Sequence, residues 1–173
     1  MNNNKKITDT FIALNYVHLA ENYKSKINNK NHKINIQKIW DVLLNPEKYN
    51  DSMNMLFVNK TFSEIFYKIL KNNSLFFQTK LIAASSEQVK KRVSDDFEVE
   101  IVESNKNKNI VYIIFKLLKD VQKPISNLYV ICNDEISTIE IPLIIDNQFQ
   151  IILQKDHKFY NLISHPEAEI FIR

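Results

Sequence analysis

The chain has 173 residues, of which 45% are hydrophobic and 25% charged, with a formal net charge of +3. Those are globular proportions; they exclude a disordered or fibrous chain and give enough length to bury a sizeable core. Glycine is absent altogether and cysteine occurs once, at Cys132.

Each absence removes chemistry. Phosphate-cradling loops and dinucleotide fingerprints need glycine so that backbone N–H groups can approach the ligand, and the G-x-S-x-G nucleophile turn needs it too. None of these fits a chain without glycine, and every backbone position with positive φ falls to another residue, asparagine first. A single cysteine precludes an intramolecular disulfide framework and a cysteine-based zinc cluster within one chain, and it suits a reducing compartment.

In chain order, residues 7–27 place Ile7, Phe11, Leu14 and Val17 at helical spacing. Asp9, Asn15 and His18 interrupt the early apolar run and no small-x-small cleavage site follows, so a secretory leader is not expected. No window approaches a membrane span, and the expected location is the cytoplasm. The 24–33 stretch, KSKINNKNHK, is a polar basic loop. A second helix is expected over 34–44, stopped by Asn45–Pro46. A third covers 51–71, with Met55, Phe62, Phe66 and Leu70 on its apolar stripe. Thr61 and Glu64 match a capping box, and Asn72–Asn73 close the helix.

Residues 75–84 fit either strand or helix. A short helix is expected from Ser85 or Ser86 to Val93, carrying Lys90, Lys91 and Arg92. Beyond it the pattern turns to strands. Phe97, Val99 and Ile101 alternate with Glu98 and Glu100, the mark of a half-buried strand, and the apolar run 110–118 returns after a polar loop as a central strand. A linker, 119–125, separates this hairpin from a C-terminal meander over 127–172, punctuated by Asp134–Glu135, Asp146–Asn147 and Asp156–His157. Pro142 confines its strand to an edge or a bulge. The run between His157 and His165 reads as a strand, and the closing AEIFIR turns Ile170 and Ile172 inward.

The fold class expected is α+β: N-terminal helices packed on one face of a mainly antiparallel sheet with a C-terminal β-meander. A single domain of residues 1–173 is expected, helical over 1–72 and mainly β over 73–173.

No catalytic, cofactor or metal site emerges. The four histidines, His18, His32, His157 and His165, form no i, i+4 pair. Asp95–Asp96, Asp134–Glu135 and Asp156 fall in turns, where aspartate bonds the nearby backbone. Cys132 sits in an apolar strand as a structural thiol. Trp40, Phe62, Phe66 and Met55 have the spacing of a core stripe and, failing that, of a partner groove.

Charge is uneven. Residues 1–40 hold seven lysines against Asp9 and Glu21, and residues 126–173 hold seven acids against Lys155, Lys158 and Arg173. Such asymmetry speaks to partners and not to fold. The functional expectation is a non-catalytic protein-interaction or assembly module with a protein partner or a homo-oligomer, using the helical face or a sheet edge. The alternative is a nucleic-acid-associated protein using Lys24, Lys26, Lys30, Lys33, Lys90, Lys91 and Arg92.

Overall fold

A computed structural model describes residues 36–49, 53, 57–79, 88–121 and 124–173. The chain divides into two compact units, Met1–Lys38 and Ile39–Arg173, and nearly everything described belongs to the second. The fold is α+β. Among the described residues there are three α-helices and two antiparallel sheets of four strands each.

The helices are α1 (Ile36–Leu44), α2 (Lys60–Asn73) and α3 (Lys158–Ile163). A single 3-10 turn, Pro46–Tyr49, follows α1. One sheet runs β1 (Phe76–Gln78), β8 (Glu169–Ile172), β5 (Asn127–Cys132), β6 (Glu135–Glu140). The other runs β2 (Lys91–Val93), β3 (Phe97–Glu103), β4 (Ile110–Leu117), β7 (Gln148–Gln154). The C-terminal strands are antiparallel, as the spacing of their turns implies. They do not remain together: β5, β6 and β8 share one sheet, while β7 crosses to pair with β4.

Alternation explains the second sheet. Phe97, Val99, Ile101, Val111, Ile113, Phe115, Leu117, Phe149 and Ile151 are all buried, and the residues between them point to solvent or lie half-buried. Phe115 and Phe149 stack with ring centroids 4.7 Å apart. The first sheet meets this face through Leu128, Val130, Cys132, Ile170 and Ile172, and α3 adds Phe159, Tyr160, Leu162 and Ile163 to the same core.

The far face of the first sheet is covered by helices. Phe66 of α2 meets Tyr129 edge-on at 6.4 Å, and Tyr67 meets Phe171 at 5.5 Å while donating its hydroxyl to Glu169 at 3.0 Å. The Leu43 carbonyl near the end of α1 has no partner within the helix. It accepts the Tyr129 hydroxyl at 2.8 Å and the Arg173 guanidinium at 2.7 Å. The closing strand is docked as its alternation requires, with Ile170 and Ile172 fully buried.

Asparagine and aspartate do take the positions that glycine would hold. Asn133 and Asp134 join β5 to β6, both with positive φ (48° and 64°), the combination a two-residue hairpin turn requires. Asp146 and Asn147 repeat the device (51° and 59°), closed by reciprocal bonds of 2.9 Å between Ile145 and Gln148.

Three local expectations are corrected. Helix α2 is capped by Asn59, whose side chain accepts the Phe62 N–H at 3.1 Å; the stronger cap wins over the Thr61–Glu64 box. Residues 91–93 form a strand and not the end of a helix, because pairing with β3 sets Arg92 opposite Val99 on the core side. The stretch after His157 is a helix: the His157 ring accepts the Phe159 N–H at 3.1 Å, and four of its six residues reach the core. Its aromatic and branched residues suit a strand equally well by pattern. Of the 75–84 run, Phe76–Gln78 is strand; residues 80–87 and the helix expected over 7–27 lie outside the described residues.

Candidate partner-binding surface

Arg92 was expected on an exposed basic face. It lies 2% exposed, and its guanidinium donates to the carbonyls of Ile163 (3.1 Å), Ala168 (3.2 Å) and His165. Carbonyls at a helix C-terminus have lost their helical partners, and a buried cation needs acceptors; each solves the other's difficulty. Burial brings the Arg92 pKa down to about 10, opposed by nearby Cys132, so the group stays charged at neutral pH. Arg92 thus fastens the end of α3 to the second sheet.

Cys132 meets His165 beside this clamp, Sγ to Nδ1 at 3.2 Å. Residues 33 positions apart give no sequence signal for such a contact. Thiol and imidazole in contact are what a cysteine nucleophile uses. Here the thiol is 4% exposed and belongs to the core, and the same Nδ1 accepts the Glu167 N–H at 3.2 Å. The imidazole is therefore held as an acceptor between strand end and loop.

The remaining candidates are scattered. Lys90 and Lys91 are exposed, with Lys91 3.8 Å from Glu98, and Lys24, Lys26, Lys30 and Lys33 lie outside the described residues. Asp96 pairs with Lys119, whose ammonium pKa that bond raises. Asp134 and Asp156 are exposed in turns. Among the described residues no three His, Cys, Asp or Glu side chains gather as metal ligands would. No described helix is long and apolar enough to cross a membrane. Phe62 and Phe66 are core residues, Trp40 is half-buried, and Met55 lies outside the described residues.

Among the described residues an open feature lies where two connections pass between the sheets. The β4–β5 connection supplies Val121, Pro124 and Ile125, and the β6–β7 connection supplies Ile141, Pro142, Leu143 and Ile144. Together they line a cleft of about 410 Å³. Val121, Ile125 and Ile144 form a half-buried floor resting on the core. Leu143 projects, 81% exposed, with Ile145 at 63% and Leu118 at 44%. Asn147 holds the two connections together by donating to Asp120 at 3.3 Å. The exposed carboxylates of Asp120, Glu140 and Asp146 flank the apolar residues.

The chain matches no family model, no curated protein and no solved structure. The cleft residues were not singled out from the sequence. The available signal was proline inside apolar runs, PI at 124–125 and IPLII at 141–145: proline withholds a ladder N–H, so apolar neighbours are left without a strand to bury them.

Proposed function

We propose that this chain is a non-catalytic protein-interaction or assembly module of the cytoplasm, and that its cleft takes an extended apolar segment of a partner protein flanked by basic residues. The observation that carries this reading is Leu143, a large aliphatic side chain 81% exposed at the wall of an open cleft lined by aliphatic and proline residues. Single exposed aliphatics are ordinary, but aliphatic residues gathered from two connections along one open depression give a partner's side chains a place to rest. Exposed Asp120, Glu140 and Asp146 adjoin the lining residues along the chain and favour a basic partner, because complementary potential favours encounter and suppresses wrong partners.

Fluorescence anisotropy with labelled peptides tests the reading. Peptides with a central Leu–Ile or Ile–Pro pair flanked by lysine should bind, and the same cores flanked by glutamate should bind at least about tenfold more weakly. Leu143→Asp should reduce binding by a similar factor without lowering the melting temperature, since the side chain supports little of the core. Equal binding of both peptide sets, or undiminished binding by the variant, would refute the cleft as the site. A salt-sensitive mobility shift with an oligonucleotide, in the absence of peptide binding, would favour the nucleic-acid reading through Lys90, Lys91 and the 24–33 segment.

A further inference from the structure

Among the described residues the two sheets end in four edges, and three are guarded against a further strand. β1 and β2 are three residues each, too short to template much pairing. On β6, Ile141 just past the strand donates to Ser126, so odd-numbered residues face β5 and even-numbered ones face outward. The outward carbonyl of Ile136 is taken by the Lys158 ammonium at 2.8 Å, and glutamates stand at both ends of the strand.

Among the described residues β7 has no such guard. Its seven residues, QFQIILQ, include neither charge nor proline. Leu117 donates to Asn147 and Lys155 donates to Asn109, so odd-numbered residues direct their main-chain groups at β4. Gln150, Ile152 and Gln154 therefore direct theirs outward. The groups of Gln148 are already closed on Ile145, and only the Gln154 carbonyl has another use, accepting the His157 N–H at 3.1 Å. Long, uncharged, unprotected edges pair with other strands.

We propose that β7 pairs antiparallel with β7 of a second copy about a two-fold axis through Ile152, joining the two four-stranded sheets into one of eight strands. The strand itself selects a second copy as occupant, because an isologous contact must be self-complementary. About Ile152, Gln150 of each chain faces Gln154 of the other, and the outward N–H and C=O groups of one strand meet those of its mate. No like charges oppose: Lys155 falls against Phe149 and Asp156 against Gln148. An axis through Gln150 would run Gln154 into the closed 145–148 turn, and one through Gln154 would run Gln150 into α3. The side chains agree with the backbone. Val102, Tyr112 and Ile152 lie in register across the outer face of the sheet, with Val102 39% and Ile152 59% exposed. The two-fold axis extends that row directly into its copy, giving six apolar side chains in line. The edge and the cleft adjoin at the 145–148 turn but use different side chains, so Ile152→Lys tests the edge and Leu143→Asp the cleft.

Sedimentation of the full chain up to about 1 mM should show a monomer–dimer equilibrium. Where dimer dominates, amide exchange at Gln150, Ile152 and Gln154 should slow at least about tenfold relative to dilute protein, while the odd-numbered amides of β7 stay unchanged. Ile152→Lys should raise the dissociation constant at least about tenfold, as should Gln150→Pro, which removes one outward N–H; both sites are exposed, so the monomer fold is kept. A protein monomeric throughout, a dimer whose three amides exchange at the dilute rate, or an Ile152→Lys chain that dimerises undiminished would each overturn the proposal.

Discussion

The two sheets are built from similar residues and are buried differently. In the β1–β8–β5–β6 sheet, β5 is closed on both faces: Leu128, Val130 and Cys132 face the other sheet, while Tyr129 and Ile131 are buried on the helix side. In the β2–β3–β4–β7 sheet the inner strands β3 and β4 bury alternate residues only. The difference lies in what covers the second face, and it decides what a substitution costs and where a partner has room to attach.

That contrast sets the largest expected effect. Ile170→Ala, in a fully buried β8 position, should cost about 4 kcal/mol, the removal of apolar contact plus the cavity left behind. Val102→Ala on the open face of the second sheet should cost less than about 0.5 kcal/mol. Urea denaturation of the two variants measures both; similar losses would mean the two sheets are not distinguished by coverage.

The clamp of the second sheet on the end of α3 comes next. Arg92→Met keeps the bulk of the side chain but takes the guanidinium from the Ile163 and Ala168 carbonyls and leaves the His165 carbonyl only the Ala168 N–H, and should destabilise by roughly 2–3 kcal/mol. Arg92→Lys should recover only part of this, since a single ammonium cannot span three acceptors as a planar fork does. Full recovery by lysine would indicate that charge alone matters there.

Among the buried side chains the smallest effect at neutral pH, about 1 kcal/mol, is expected for Tyr129→Phe, which removes the bond to the Leu43 carbonyl and leaves the packing intact. It is sharpened by pH. Burial pushes the Tyr129 hydroxyl up to about 12 from its ordinary value near 10. A folded-state pKa above the unfolded one gives stability that is complete below pH 10 and is lost as pH rises from 10 through 12. The full linkage amounts to roughly 2–3 kcal/mol. Melting temperatures between pH 9 and 12 should therefore fall less steeply for Tyr129→Phe than for the parent chain. Parallel curves would show that helix α1 does not bury this hydroxyl.

Much of this was legible from residue patterns. Strict alternation over 97–101 and 149–153 marked strands with one buried face, and those strands form. Asp146–Asn147 and the polar residues after Cys132 marked turns, and a chain without glycine does use Asn and Asp at positive φ there. The surfaces were less legible. Alternation says that a strand has an inside and an outside, but not which strand ends up at an edge, so the unguarded β7 depended on knowing that it crosses to β4. Arg92 was misplaced because a buried guanidinium is paid for only by carbonyls 71 or more residues away.

The sequence by itself determined the local periods, the turn residues and the class of fold, because these rest on interactions between near neighbours along the chain. Only the tertiary structure decided the split into two sheets, the Arg92 clamp, the meeting of Cys132 with His165, the cleft between the two crossings and the open edge of β7. Each depends on which distant segments share a surface. That choice is made by burying apolar faces against one another, a force without direction that leaves no fixed spacing in the sequence.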